Sequence, residues 1–324
     1  MRNVIDYQQI IADSIVEFKK GNGSNRLFKP VNYILDLGGK RLRPALLLMT
    51  NDLFGGDIDD AINCALAVEV FHNFTLLHDD IMDSAPIRRG SPTVHEKWGV
   101  NEAILSGDVM MVQAVQLMTQ CPDRVLRKVL DIFHTTAVEV CVGQQMDMDF
   151  EKRNDVSIPE YIKMVELKTA VLLAGAMKIG AIIGGASDED ADRIYEFGRN
   201  LGISFQIMDD ILDVYGDQDK FGKQVGGDII ENKKTFLMLK ALEMTNGSGE
   251  CTLNDWMEKE EFDPVVKVRE VIKIYDSVNV RSSCEIEMNR YYETAMNNLN
   301  QLSLSEEKKA PLFSFSEALF NREQ

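Results

Sequence analysis

The sequence predicts an all-α protein, because its apolar residues recur at helical intervals and its prolines avoid long stretches of chain. Apolar residues three or four positions apart occur in several segments, among them Val4–Phe18, Val125–Val140 and Ile194–Phe205. No proline falls between Pro159 and Pro264, and a proline inside a helix costs about 3 kcal/mol. Strand-like alternation bounded by hairpin turns is not evident, so helices account for the pattern.

The predicted helices follow one another with short breaks, some of which are marked by glycine pairs. We expect helices at 3–20, 28–37, 43–53, 58–83, 100–119, 122–151, 159–183, 187–216, 230–245, 264–277, 278–301 and 304–319. Several are long and apolar on more than one side, which indicates burial within a helix bundle. Without a low-complexity linker or a long repeat, residues 1–324 are predicted to form a single domain.

Composition and charge argue against several classes of function. The net charge of −17 at pH 7 argues against a nucleic-acid partner, because phosphate backbones require clustered cations. The five cysteines are far apart in sequence and lack CxxC spacing, so free thiols are expected and a zinc site is not. No apolar run approaches the roughly 18 residues of a membrane span, and no signal peptide is recognisable. A cytoplasmic protein is therefore expected.

The segment HNFTLLHDDIMDSAPIRRGSPTVH, residues 72–95, carries an acidic motif followed by two arginines, Arg88 and Arg89. Asp79, Asp80 and Asp83 end an apolar helical run, and the first and last share one helix face because residues i and i+4 point the same way. Carboxylates so close repel one another unless a cation lies between them, and Mg²⁺ binds through carboxylate oxygens. Taken alone, the segment is more simply a solvated helix end and a basic turn.

The same motif recurs in FQIMDDILDVYGDQDKFGKQVGGD, residues 205–228, and this repetition favours a function. Asp209, Asp210 and Asp213 repeat the DDxxD spacing at the end of another apolar helical run, again with basic residues downstream. One DDxxD motif arises easily by chance, whereas two in matching contexts do not. Two such clusters could face each other across a cavity and clamp a diphosphate through shared metal ions.

Basic groups elsewhere are candidates for the same site, and each also has a purely structural interpretation. Lys40 and Arg43 stand beside a glycine break and a helix start at Pro44. Basic groups there suit phosphate oxygens, but a helix end followed by a charged turn would look alike. His72 lies about two helical turns before Asp79 on much the same face, although a lone helical histidine is usually structural.

Polar residues interrupt two further apolar helices. Gln144, in GQQMD, is either a site residue or part of the polar end of a core helix. Lys168 and Thr169 interrupt the run YIKMVELKTAVLLAGAMKIG. A lysine there needs a route to solvent or an anion, because burying it unpaired is costly.

The sequence resembles the trans-isoprenyl diphosphate synthases in GGKRLRP, DDIMDSAPIRRGSPTVH, GQQMDMDF, ELKTAVL and FQIMDDILDVYGDQDKFGKQVGGDIIENKKT. The resemblance runs from about Lys29 to Leu242 and returns at the C-terminus. It implies a bundle of long antiparallel helices around a deep apolar cavity, normally a homodimer. It also implies an enzyme that joins isopentenyl diphosphate head to tail to an allylic diphosphate.

The resemblance further implies roles for individual residues. Three Mg²⁺ ions would be held by Asp79, Asp83 and Asp209. Support for these ions, and the rest of the catalytic set, would come from Asp80, Asp210, Asp213, Lys168, Thr169 and Gln206. The allylic diphosphate would be gripped by Arg88, Lys168, Gln206, Lys223 and Lys233. The diphosphate of isopentenyl diphosphate would be held by Lys40, Arg43, His72 and Arg89. The reacting carbons would be faced by Thr169 and Gln144.

In such enzymes cations draw electrons from the allylic diphosphate until its C–O bond breaks, and the double bond of isopentenyl diphosphate attacks the resulting carbocation. Product length would be set beneath Asp79. Phe74 lies about 7.5 Å down the helix axis, at about 1.5 Å per residue, and Phe71 lies a turn lower. Both are interpreted as chain-length determinants, with simple core packing as the alternative. Thr75, which is not aromatic, departs from the tightest farnesyl pattern, so a C20 product is favoured over C15.

Other functions share parts of this pattern. A class I terpene cyclase has the first acidic motif, but its second motif usually mixes Asn, Ser or Thr with Glu, and it has no use for a second diphosphate site. A non-catalytic subunit that modifies a true synthase generally loses the acidic motifs, which are intact here. A carrier of prenyl diphosphates would not need two metal motifs and two sets of cations. The sequence therefore predicts a Mg²⁺-dependent short-chain prenyltransferase.

Overall fold

Helices dominate the computed structural model, which describes residues 2–216, 226–245 and 253–320, and the all-α prediction is confirmed. The first helices are α1 (Val4–Gly21), α2 (Phe28–Asp36), α3 (Leu42–Leu53), α4 (Ile58–Met82), α5 (Val94–Trp98), α6 (Val100–Met118) and α7 (Leu126–Glu151). Next come α8 (Ile158–Val165), a π-helical turn (Glu166–Ala170), α9 (Val171–Ile183) and α10 (Asp188–Tyr215). The last are α11 (Gly227–Ile230), α12 (Phe236–Thr245), α13 (Leu253–Glu258), α14 (Pro264–Ser277), α15 (Val280–Asn300) and α16 (Glu306–Phe320).

Most helices begin and end within a few residues of their predicted positions, and the exceptions have local causes. The predicted helix 159–183 contains the π-helical turn, whose wider winding the apolar spacing does not reveal. The predicted helix 230–245 is instead divided into α11 and α12. It breaks where Asn232 takes a left-handed backbone conformation with φ of 57° and donates its side-chain amide to the Met257 carbonyl.

A short β-hairpin, which the sequence did not predict, follows α4. Strand β1 (Ile87–Arg88) pairs antiparallel with β2 (Ser91–Pro92). The two turn residues, Arg89 and Gly90, both have positive φ, of 52° and 75°, as a type I′ turn requires. Arginine is an uncommon residue in that conformation, which explains why the sequence gave no hairpin signal.

The chain divides into two compact units, each assembled from separate parts of the sequence. The first runs to Ala137 and adds Leu172–Tyr195 and Leu302–Pro311; the second contains Val138–Val171, Glu196–Gln301 and the residues from Leu312 onward. Several boundaries fall inside helices, so the chain passes between the units without a linker. The single-domain prediction stays a prediction. Within the described ranges, no helix combines the length and apolarity that a membrane crossing requires.

In the first unit, α3 and α4 are the most deeply buried helices. Every residue of α4 from Cys64 to Phe71 is buried, as is every residue of α3 from Pro44 to Asn51. The Thr50 hydroxyl on α3 donates to the Met177 carbonyl on α9 at 2.9 Å. A helix whose turns are buried all round is held in a fixed position, which matters because α4 ends in the first acidic motif.

The second unit has its own apolar core, built from α8, α10, α12, α14 and α15. Its α10 residues are buried over three successive turns before the second acidic motif and within it, at Ile203, Ile207, Met208 and Ile211. Each motif therefore stands at the end of a helix that is anchored by its apolar face.

Gly180→Ala is expected to lower the free energy of unfolding by about 1–3 kcal/mol, as overpacking does. A Cβ at position 180 would overlap the Leu47 carbonyl and the Thr50 hydroxyl. The measurement is chemical denaturation followed by circular dichroism. Gly21→Ala is the control, since its methyl group would meet nothing within 4 Å. Equal midpoints for both variants would refute the close approach of α3 and α9.

Candidate active site

The first acidic motif occupies the last turn of α4. Asp79 is partly exposed, Asp83 is exposed where the helix ends, and the Asp83 N–H donates to the Asp79 carbonyl at 2.8 Å. Asp80 is buried, with 1% of its surface exposed, and its Oδ1 accepts from Nε and Nη2 of Arg88, both at 2.7 Å. A buried carboxylate requires such a partner, so this pair fixes the end of α4.

The β-hairpin places the two arginines that follow the motif. Its antiparallel pairing sets Arg88 beside Asp80. The positive φ of Arg89 directs that residue towards the segment that connects α2 and α3. A Cβ at Gly39 would lie 2.8 Å from Nη2 of Arg89. Gly39 also has a φ of 148°, so glycine meets both a conformational and a spatial requirement here.

A partly buried cationic cluster lies between α3 and α4. Arg43 Nη1 lies 3.3 Å from Nε2 of His72, and because arginine can only donate, Nε2 accepts and the imidazole proton is on Nδ1. Burial, followed by the charge of Arg43, holds the pKa of His72 well below its ordinary value. His72 is therefore neutral at physiological pH and can offer a hydrogen bond to an anion, but no charge.

Glu69 belongs to this cluster, and sequence reasoning missed it. It is 3% exposed, and its Oε1 accepts from the Asn73 amide at 3.1 Å. Burial raises the pKa of its carboxyl, against the opposing influence of Asn73, Arg43, Arg41 and Arg89. An acid three residues before His72 inside the apolar run from Ala65 to Phe71 was the signal that could have revealed it. Lys40, three residues before Arg43, is exposed, and its backbone carbonyl accepts a hydrogen bond from the Gln8 side chain.

The second acidic motif stands near the end of α10 in the second unit. Asp209 is exposed, whereas Asp210 is 4% exposed and accepts from the Tyr161 hydroxyl at 2.5 Å and the Phe236 N–H at 3.0 Å. Burial raises the pKa of Asp210 to about 7, although these hydrogen bonds oppose the shift. Gln206, predicted to touch substrate, also lies 3.4 Å from Asp210. As in the first motif, the second carboxylate is buried and held.

The third carboxylate of this motif organises the chain that follows it. Asp213 Oδ2 accepts from the Asp228 N–H at 3.1 Å, and its carbonyl accepts from the Gly226 N–H. Lys233 then lies 3.0 Å from Glu231 and 3.5 Å from Asp228. Burial alone would lower the pKa of Lys233, but these carboxylates raise it above its ordinary value. The loop thus keeps a charged lysine. Lys223, the other lysine predicted here, lies outside the described residues.

A buried lysine, which the sequence analysis also missed, contacts the segment between α11 and α12. Lys267 on α14 is fully buried and donates to the Asn232 side chain at 2.7 Å, with its Nζ 4.0 Å from the centre of the Phe262 ring. Its position in an ordinary amphipathic helix gave no sign of this contact.

The π-helical turn presents Lys168 and Thr169. Lys168 Nζ donates to Asp147 Oδ2 on α7 at 2.5 Å, so this lysine has an anionic partner within the chain itself. A Cβ at Gly143 would overlap the backbone of Lys168, which makes α7 and the turn direct neighbours. Gln144, next to that contact, is buried. Functional sites often contain such π-helical turns.

The predicted chain-length residues differ from one another in burial. Phe71 is fully buried and packs on Phe133 with ring centres 5.4 Å apart, as a core residue does. Phe74, one turn nearer the motif, is only partly buried and lies between Phe71, at 5.6 Å, and His78, at 4.8 Å. The Thr75 hydroxyl donates to the His72 carbonyl. Burial thus separates Phe71, a core residue, from Phe74 and Thr75, which are both partly buried.

No group of three carboxylate, histidine or cysteine side chains that could bind a metal is present in the part of the chain that the structure describes. Each motif does offer accessible carboxylate oxygens, at Asp79 and Asp83 and at Asp209. Magnesium is commonly held by one or two carboxylates together with substrate phosphates and water. The donor set therefore fits Mg²⁺ that enters with a phosphate ligand.

The fold and the site define an all-helical enzyme with paired aspartate motifs flanked by cations, and comparison with known proteins identifies its family. The polyprenyl synthetase family model matches residues 24–275. A geranylgeranyl diphosphate synthase of Methanosarcina mazei is 46% identical over 71% of this chain and 73% of its own. A geranylfarnesyl diphosphate synthase of Natronomonas pharaonis is 39% identical over 74% and 75%. A crystal structure of a geranylgeranyl pyrophosphate synthase, 43% identical, covers both chains fully with a TM-score of 0.92.

The chain therefore belongs to the polyprenyl synthetase family. It is a short-chain trans-isoprenyl diphosphate synthase, and the predicted enzyme class is confirmed.

Tyr161→Phe is expected to destabilise the protein by about 1–3 kcal/mol, because it leaves a buried acceptor on Asp210 without one of its donors. The hydroxyl favours the charged carboxylate, so its removal raises the pKa of Asp210 further. The free energy of unfolding that the variant loses relative to the parent protein should then be larger at about pH 8 than at about pH 5. The reason is that stability falls as pH rises towards a raised carboxyl pKa, and this pKa is higher in the variant.

The matched control is Tyr275→Phe, which removes a buried hydroxyl that donates to the Met238 sulfur, at 3.6 Å. Its loss of stability should be smaller and the same at both pH values. A pH-independent loss for Tyr161→Phe would contradict the assigned hydrogen bond.

Proposed function

We propose that the protein condenses isopentenyl diphosphate with allylic diphosphates to give geranylgeranyl diphosphate, a C20 product, with C15 farnesyl diphosphate as the next most favoured. The observation that carries the reaction is the common arrangement of the two motifs. In each, the first carboxylate is accessible and the second is buried and held by the protein. The observation that supports the product length is the partly buried Phe74 beneath Asp79 on α4, together with similarity to proteins named geranylgeranyl diphosphate synthase.

Asp79, Asp83 and Asp209 are the proposed ligands of three Mg²⁺ ions. Asp79 is partly exposed and Asp83 and Asp209 are exposed, and their oxygens are hard donors. Asp80 and Asp210 are instead buried. Bound Mg²⁺ would supply positive charge that neutralises the diphosphate and favours its departure.

The cations proposed for the allylic diphosphate are already oriented by carboxylates. Arg88 is held by Asp80, Lys168 by Asp147, and Lys233 by Asp228 and Glu231. The neutral Gln206 and, outside the described residues, Lys223 are proposed for the same diphosphate. These ion pairs restrict the rotamers of each cation before substrate arrives, which lowers the cost of binding a diphosphate. A diphosphate would compete with surface-accessible carboxylates such as Glu231 for the same cation.

The diphosphate of isopentenyl diphosphate is assigned to Lys40, Arg43, His72 and Arg89. Burial lowers the pKa of Arg43 and of Arg89, with Glu69 opposing the shift in both. Glu69 thus balances part of the charge of this cluster, so that several cations can stand together without a ligand. His72 can add a neutral hydrogen bond.

The proposed reaction requires no nucleophile from the protein. The C–O bond of the allylic diphosphate breaks, the double bond of isopentenyl diphosphate supplies the electron pair of the new C–C bond, and the departing diphosphate accepts the proton that is lost. Thr169 and Gln144 are assigned to the reacting carbons. The fixed cations stabilise the departing charge without having to reorganise.

We also infer a homodimer. Helix α6 exposes an apolar stripe, with Ile104, Leu105 and Val112 at 41%, 58% and 56% exposure. Apolar side chains repeated along one exposed helix face favour contact with another protein surface, and a second copy of this chain is the partner that the family suggests.

The test of the reaction is incubation of the purified protein with Mg²⁺, labelled isopentenyl diphosphate and, separately, dimethylallyl, geranyl and farnesyl diphosphate. Resolving the dephosphorylated products by length should give mainly a C20 alcohol. Asp79→Asn and Asp209→Asn should each lower turnover by about two orders of magnitude or more, while Asp131→Asn, at an exposed position on α7, should not. Cyclic hydrocarbons formed without isopentenyl diphosphate would indicate a cyclase instead.

Phe74→Ala is expected to shift the product beyond C20, because it removes the aromatic ring beneath Asp79. Phe28→Ala, which truncates a partly buried ring on α2, serves as the control and should leave the product length unchanged. The product distribution of each variant is compared with that of the parent protein. An unchanged distribution for Phe74→Ala would reject this residue as the floor of the site.

A further inference from the structure

Two cysteines that are 57 positions apart in sequence meet at the end of α6. Cys64 lies on α4 and is fully buried, while Cys121 lies in the turn between α6 and α7 with 4% of its surface exposed. Both contact one carbonyl: the Cys64 thiol lies 3.8 Å from the Met118 oxygen, and the Cys121 N–H donates to that oxygen at 3.4 Å. The two thiols are within hydrogen-bonding range of each other.

The two sulfurs differ in reactivity because of this contact. The hydrogen bond from Cys64 lowers the pKa of Cys121, although burial opposes the shift. The same bond, with burial, raises the pKa of Cys64. Cys121 is itself buried, but it stands in a turn whose neighbours Gln120 and Asp123 are exposed, so its reaction requires this turn to open. Thiolate character and access are the two conditions for attack on a disulfide.

We propose that Cys64 and Cys121 form a redox-active dithiol that low-molecular-weight disulfides, of the oxidised glutathione type, convert into an intramolecular disulfide. The Cys121 thiolate attacks one sulfur of the reagent, the S–S bond of the reagent breaks, and one glutathione thiolate leaves. Cys64 then gives its proton to solvent and attacks the Cys121 sulfur, which expels the second glutathione thiolate. Two protein thiols are oxidised and one glutathione disulfide is reduced.

The product would join α4 covalently to the α6–α7 turn. Helix α4 carries both Phe74 and the first acidic motif, so the link would lie on the same helix as the site, two turns below Phe71. Such a cross-link between distant positions restricts the unfolded chain more than the folded one. The oxidised protein should therefore melt at a higher temperature than the reduced protein.

The chain contains internal standards for this chemistry. Cys284 is buried in the second unit, and burial raises the pKa of its thiol to about 12, so it should stay reduced. Cys141 is exposed on α7 and should acquire a mixed disulfide with glutathione. Among the four cysteines in the described part of the chain, Cys64 and Cys121 alone should lose alkylation together without gaining glutathione.

The experiment equilibrates the native full-length protein in buffers of increasing oxidised-to-reduced glutathione ratio. After an acid quench, the protein is unfolded, free thiols are alkylated, and peptides are identified by mass spectrometry. The expected result is a cross-linked peptide pair containing Cys64 and Cys121, two hydrogens lighter than the sum of the reduced peptides. Its appearance should coincide with the rise in melting temperature and reverse on adding dithiothreitol.

A single variant distinguishes formation of the Cys64–Cys121 disulfide from nonspecific oxidation of thiols. In Cys64→Ala, Cys121 should stop at the mixed disulfide with glutathione, and the rise in melting temperature should disappear. Circular dichroism of the reduced variant checks that it folds, and the parent protein alone decides the question if it does not. Full alkylation of both cysteines in the folded parent protein at every glutathione ratio would overturn the proposal, as would a disulfide that forms only after unfolding.

Discussion

Compensation of buried charge is the constraint on which the site depends. Each acidic motif contains one carboxylate that the fold buries, Asp80 or Asp210, and each is held by donors from another part of the chain. An unpartnered buried carboxylate would cost several kcal/mol. The contacts therefore do more than satisfy one group: they fix the rotation of α4 and α10 about their axes, and so decide that Asp79 and Asp209 reach solvent.

Close backbone contacts serve the same end. The π-helical turn puts Lys168 against α7 only because Gly143 has no side chain there, and Gly39 leaves room for the Arg89 guanidinium. Neither glycine lies in a motif of carboxylates, yet each sets where a cation stands. The positions of these cations thus depend on close contacts that glycine permits, whereas the positions of the acidic motifs depend on where helices end.

Much of this was accessible from the sequence, because helix periodicity, proline placement and the repeated DDxxD spacing are local signals. What the sequence did not reveal depends on contacts between distant residues. The hairpin required Arg89 to adopt positive φ, a conformation that its residue type does not favour. Glu69 and Lys267 look like ordinary helix residues until their burial is known. An anion beside Lys168 was one of two alternatives, with a route to solvent as the other, and the sequence did not reveal that Asp147, 21 positions earlier, is that anion.

The two motifs show why repeated sequence does not imply repeated chemistry. Asp80 is paired with a permanent cation, so it forms an ion pair that also orients Arg88. Asp210 is surrounded by neutral donors, and burial raises its pKa to about 7. The Asp210 carboxyl therefore holds its proton to a higher pH than an ordinary aspartate does. Identical spacing thus places one central carboxylate against a guanidinium and the other among neutral hydrogen-bond donors, and this difference follows entirely from the partners that the fold brings to each.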